Sequence, residues 1–167
     1  MNSFELKKLQ APLKESYQRD PEMACVTLKA EGKIGEGISC KVDTGRALVE
    51  AGLHPATGGN GLLACSGDML LEALVACAGV TLSAVATAIG VEIPGGSIRA
   101  EGDLDFRGTL GVSKEAPVGF IAIRLYFAFT SNATDEQISS LAKLTERYCV
   151  VYQTLTKGVP VQTYYDK

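Results

Sequence analysis

The stretch Ala73–Val91 runs 19 residues without a charge, and nothing else in the 167-residue chain constrains its fold as strongly. That length approaches the ~20 residues needed to cross a bilayer as a helix. Its composition argues against a span, because Ala, Gly, Ser, Thr and Val predominate and the flanks are Glu72 and Glu92 rather than Lys, Arg or an aromatic belt. A helix buried in protein is therefore expected. It is predicted to open at Ser66, whose hydroxyl suits an N-cap, with Asp68 in the first turn at the positive end of the helix dipole. It should stop near Ile89 at Gly90, with Pro94-Gly95-Gly96 beyond. Leu70, Leu71, Leu74, Val75, Val80, Leu82, Val85 and Ile89 cover every side of it, and a helix apolar all round must be buried all round. One chain of this size has difficulty enclosing it, so a homodimer is expected.

Elsewhere the pattern predicts strands and helices in blocks, an α+β arrangement. Residues 1–22, broken by Pro12 and Pro21, read as a lead-in arm or short helix, and 23–167 as one domain. Val26, Leu28 and Ala30 alternate with polar neighbours, as do Ile38, Cys40 and Val42, and the glycines between them suit a hairpin. Residues 44–65 read as loop. In 97–107 one wet and one dry face alternate, whereas Ile121, Ile123, Leu125, Phe127 and Phe129 predict a central or strongly buried strand. A second helix should open at Thr134, with Gln137 completing a capping box, carry Ile138, Leu141, Thr145, Tyr148 and Cys149 inward, and end after Lys157. A last strand is predicted over 161–165.

Several functions are excluded by residue types. A net charge of −3 with no Lys/Arg run leaves no footprint for nucleic acid. With one histidine, His54, and no ligand-spaced cysteine pair, neither a metal site nor a hydrolytic triad is expected, and no cofactor motif is present. His54, next to Pro55, reads as a turn residue. Five cysteines without regular spacing, behind an N-terminus lacking a signal-peptide run, point to the reducing cytoplasm, where a paired cysteine is more often catalytic than structural.

Among those thiols, Cys40 reads as core packing, Cys25 as partly exposed and Cys65 as a loop or cap neighbour. Cys77 and Cys149 each lie on the apolar side of a predicted helix, and such a thiol is either inert filler or a redox centre kept dry. Side-by-side helices can bring two Cα atoms within the ~4.4–6.8 Å that a disulfide requires. Burial opposes the thiolate, so a nearby cation is needed to offset it. Arg46, Lys143 and Arg147 are available, and Asp68 or Glu72 could orient one of them.

At these residues the chain resembles the OsmC/Ohr family, the osmotically inducible and organic hydroperoxide resistance proteins. The resemblance rests on the Ala-rich helix around Cys77, the Glu146-Arg147-Tyr148-Cys149 run and the element order, over roughly residues 24–166. It implies antiparallel sheets wrapped around two long central helices in an intertwined homodimer. It also implies a stress-response thiol peroxidase. Cys77 would attack an organic hydroperoxide, Cys149 would resolve the sulfenic acid, and a dithiol, often of lipoyl type, would restore both. Arg46 falls where the family places its thiolate-stabilising arginine, and an apolar cavity between subunits would favour fatty or aromatic hydroperoxides. The chain departs from the family at three points, one of them a longer loop between Arg46 and Ser66. Ser66-Gly67-Asp68 stands where the peroxidases carry Asn-Pro-Glu, leaving Asp68 and Glu72 as substitutes for the missing glutamate, and Val150 follows Cys149 where proline is usual. The alternatives are a non-catalytic dimer of the same fold that binds a small apolar ligand, and a redox sensor.

Overall fold

The long apolar helix forms as its pattern dictates, and the remaining elements are arranged around it. The computed structural model describes residues 3–34, 40–42 and 51–165. Helix α1 (Ser3–Arg19) leads through a short 3-10 turn into strand β1 (Cys25–Ile34), followed by β2 (Cys40–Val42). A second 3-10 turn at Pro55–Thr57 precedes α2 (Ser66–Ile89); then come β3 (Gly95–Asp105), the single-turn α3 (Phe106–Thr109) and β4 (Ala122–Thr130). Helices α4 (Asp135–Tyr148) and α5 (Val150–Lys157) complete the chain. The strands form one antiparallel sheet in the order β2-β1-β3-β4.

Helix α2 lies on this sheet and packs against α4 and α5 on its other flank. The inner face of β3 is set by strict alternation: Ile98, Ala100, Gly102 and Leu104 are buried while Arg99, Glu101 and Asp103 turn outward. On the outer face Arg124 pairs with Asp103 and Glu101, and the Arg99 guanidinium lies 4.2 Å from the Tyr126 ring centre. Gly102 is required on the inner face, since a Cβ there would meet the Phe120 ring at 2.4 Å. Gly90, at φ 73°, ends α2 in the left-handed conformation that glycine adopts without strain. The capping box at Thr134 and Gln137 forms as predicted.

Five expectations are corrected. Pro12 does not break the first segment but sits inside α1, which is anchored by the Tyr17 hydroxyl donating to the Ala56 carbonyl at 2.6 Å. The cap of α2 is Cys65 rather than Ser66, and no side chain caps that helix end. Phe106 and Arg107 leave the strand for α3, because the Asp105 carboxylate caps that turn by accepting from the Arg107 amide at 3.0 Å. Strand β4 is an edge strand, and its apolar face is only half-buried. The segment 161–165 is an exposed extension rather than a strand, with Val161 and Tyr165 at 80% and 89% exposure.

The enclosure of α2 is incomplete. The helix is long and apolar enough to cross a membrane, and half of its most apolar window is buried inside this fold. Leu71, Leu74, Val75, Ala78 and Leu82 are buried, whereas Met69, Leu70, Val80 and Ile89 remain exposed at 36–39%. The buried side of α2 carries the fold. Leu71→Ala, at a fully enclosed position, is expected to lower the unfolding free energy by about 2–5 kcal/mol, read as a lower denaturant midpoint at unchanged slope.

Candidate functional site

Cys149 does not sit within a continuous helix. Its backbone, at φ −71° and ψ 107°, leaves helical space, so Cys149 is at once the last cap of α4 and the first cap of α5. Its amide closes α4 on the Thr145 carbonyl at 2.9 Å, and its carbonyl opens α5 by accepting from Gln153, also at 2.9 Å. The amides of Val150, Val151 and Tyr152 consequently have no partner within α5, as in the first turn of any helix. This first turn lies against α2 where Cys77 projects from it.

The structure brings Cys77 and Cys149 near enough for each to shift the other's acidity, both as free thiols, half-buried and buried respectively. Their environments push the two thiols apart in acidity. Burial pushes Cys77 upward, but the Val151 amide, the Cys149 thiol, the Thr81 hydroxyl and the Val150 amide together outweigh it, so Cys77 lies below its ordinary value. Burial drives Cys149 up to about 11, and the neighbouring Cys77 sulfur adds to the rise while the Tyr152 amide opposes it. Cys77 is therefore the more acidic of the two thiols. Thr81 escaped the sequence reading. It sits four residues after Cys77, hence on the same side of α2, and that spacing is the signal that could have found it.

Asp68, Lys143 and Arg147 are not among the groups that shift either thiol. Arg46 lies outside the described residues. Lys143 and Arg147 are exposed on α4, the latter with its guanidinium 5.5 Å from the Tyr148 ring, and Tyr148 itself turns to solvent rather than inward. Among the described residues, the groups that lower Cys77 are hydrogen-bond donors rather than cations. Asp68 is nine residues before Cys77, about half a revolution round the helix and some 13 Å along it by helical geometry. Its carboxyl is raised by burial, against the attraction of His54. Glu72, half-buried, is five residues before Cys77, or about 7.5 Å along the axis. His54 is a turn residue as predicted: its Nδ1 accepts from the Ala56 amide at 3.0 Å and its ring stacks on Phe106 at 4.9 Å.

The same helices border an open, mainly apolar cavity of about 730 Å³, walled by Leu70 and Leu74 of α2, by Ile123, Leu125 and Phe127 of β4, and by Tyr152 and Leu155 of α5. Leu74 is three residues before Cys77 and Tyr152 three after Cys149, while neither cysteine itself lines the cavity. No group of metal-ligating side chains occurs among the described residues. At neutral pH iodoacetamide is expected to modify Cys77 well ahead of Cys149, which should resist until the chain is unfolded, as peptide mass spectrometry of native and denatured samples would show.

Comparison with known proteins places this arrangement. The family model of OsmC-like proteins matches residues 59–164. No curated protein sequence matches the chain. Among solved structures, the chain is similar to an OsmC-like hydroperoxide resistance protein from Jannaschia sp. CCS1, with a TM-score of 0.61 at 17% identity, covering 86% of this chain and 95% of that one.

Proposed function

The chain belongs to the OsmC-like protein family, and from that membership we propose that it reduces organic hydroperoxides with Cys77 and Cys149 as its redox pair. The observation that carries this reading is the pair of free thiols that push each other's acidity in opposite directions, on helices that also wall an apolar cavity. The Cys77 thiolate attacks the distal peroxide oxygen; the O–O bond breaks, the alkoxide takes a proton and departs as an alcohol, and Cys77 holds a sulfenic acid. The Cys149 sulfur then attacks the sulfenic sulfur, a disulfide forms, and the hydroxyl leaves as water with the Cys149 proton. A small dithiol, of the lipoyl kind, returns two electrons and two protons to restore both thiols. Because each thiol shifts the acidity of the other, the two lie near enough for this step to join them.

Two further points complete the proposal. The exposed apolar side of α2 and the half-open face of β4 fit a second copy of the chain, which would close the cavity from outside and keep water from the thiolate. A reducing compartment such as the cytoplasm suits the resting dithiol. A redox sensor would use the same pair with slow turnover, so turnover number separates the two readings.

Treatment with cumene hydroperoxide is expected to remove two titratable thiols per chain. Cys77→Ser should abolish that loss, and Cys149→Ser should stop the reaction at a sulfenic acid trapped by dimedone. Loss that persists in Cys77→Ser, through Cys25 or Cys65, would refute the assignment. Thiolate is present above the Cys77 pKa and is lost as pH falls through it. The rate should therefore rise as pH passes through the lowered Cys77 pKa and then level off, while Cys149 stays protonated through that rise. Leu155→Asp, placing a charge in the apolar wall, is expected to reduce discrimination between cumene hydroperoxide and hydrogen peroxide about tenfold in kcat/KM. Sedimentation should show a particle of twice 17.6 kDa.

A further inference from the structure

The cavity bordered by α2, β4 and α5 is apolar nearly throughout, and one acidic side chain interrupts it. Glu146, from the last turn of α4, lines it together with Leu74, Phe127 and Leu155, and no Lys, Arg or His is among the described residues of its wall. We infer that Glu146 selects against anionic substrates, so that the cavity takes neutral apolar hydroperoxides, of the aryl, alkyl or esterified lipid kind, in preference to those of free fatty acids. This rests on the peroxidase reading and deepens it by naming the class of substrate.

Three observations support it. First, the fold holds Glu146 in this place. Its backbone carbonyl accepts from the Gln153 Nε2 at 2.8 Å, a bond that ties the end of α4 to α5 across the break at Cys149. Second, no cation shares the described wall. Lys143 and Arg147 of α4 and Lys157 of α5 are exposed and do not line the cavity, and the Arg147 guanidinium lies over the Tyr148 ring. Third, donors in the wall are already engaged. The Thr156 hydroxyl donates to the Tyr152 carbonyl at 2.9 Å, and the Ile121 amide donates to the Asp103 carbonyl at 2.8 Å. A carboxylate entering this space loses water, gains no cation and meets a like charge. An ester or aryl group loses little hydration there and keeps the whole benefit of the apolar wall. Glu146 costs a neutral ligand little, because it is itself exposed to solvent. The same exposure lets salt weaken its repulsion.

Two ligands that differ in little but charge provide the test. Decanoate and methyl decanoate have the same chain, and neither carries a peroxide, so binding is read without turnover. Each is titrated at neutral pH against the full chain holding Nile red, a neutral dye that fluoresces in apolar cavities, and displacement of the dye gives both affinities. Wild type is compared with Glu146→Gln, which keeps the shape of the side chain, and with Glu146→Lys. Because Glu146 is exposed on α4, neither change enters the core.

Decanoate is expected to bind Glu146→Gln about fivefold more tightly than wild type, and Glu146→Lys more tightly still, while the ester binds all three alike. Raising the salt to about 0.5 M should shrink the difference between wild type and Glu146→Gln. An equal affinity for decanoate in all three folded proteins overturns the inference. So does an ester affinity that moves in parallel, which would mark a change of shape rather than of charge. Failure of both ligands to displace the dye removes the cavity as a binding site, and the inference with it. If the lysine variant does not fold, the glutamine variant decides alone. In turnover, the kcat/KM ratio of methyl linoleate hydroperoxide to linoleic acid hydroperoxide should fall in Glu146→Gln by the factor seen in binding. A protein that shows the charge effect on decanoate but consumes neither hydroperoxide retains the selective cavity and refutes the peroxidase reading alone.

Discussion

A 24-residue helix that is apolar on every side cannot be covered by the material one chain of this size provides, and that constraint shapes everything else. The sheet takes one side of α2 and the α4–α5 pair takes another. The remaining sector, marked by Met69, Leu70 and Val80, stays open, and so does the face of β4 that lines the cavity. The cavity is thus the space left where α2, an edge strand and α5 fail to close on one another. Its volume, about 730 Å³, is ample for a small apolar molecule. An unfinished core and a binding site are here the same feature.

The pairing of the thiols follows from that layout. Because α2 must be covered, α4 and α5 are pressed on it, and the residue between them arrives at the level of Cys77. The break in helical space at that residue leaves the first-turn amides of α5 without a partner inside the helix. A continuous helix through Cys149 would have used those amides internally. The two cysteines then differ for reasons independent of their own identity. Cys77 meets donors, and Cys149 meets burial and a neighbouring sulfur that prefers the charge.

Where the sequence could be read correctly, a single periodicity decided the outcome. The 66–89 helix, the alternation of Ile98, Ala100 and Leu104, the stop at Gly90 and the capping box at Thr134 all have one strong local cause. The reading failed where tertiary contacts decided. Ile123, Leu125 and Phe127 share one apolar face whether a strand is central or at an edge facing a cavity, so their pattern could not tell β4's place. Pro12 interrupts hydrogen bonding in α1, yet contacts such as that from Tyr17 hold the helix over it. The end of α4 was hidden because neither glycine nor proline marks it, and the helical spacing of Thr145 and Cys149 runs on without interruption. The thiol pair was legible as a pair. The donors were not, because two of them are backbone amides, which no side-chain motif can announce.

That last point bears on how a thiolate can exist in dry surroundings. A cation can offset burial, but a buried ion pair must itself be desolvated, and the gain is often cancelled by that cost. Amides at a helix start carry no net charge and are already oriented by the fold, so they stabilise the anion without a second desolvated ion. They also act on position, since their effect falls off within the first turn. A sulfur displaced by the docking of α5 would lose them together, which links the acidity of Cys77 to the same packing that shapes the cavity.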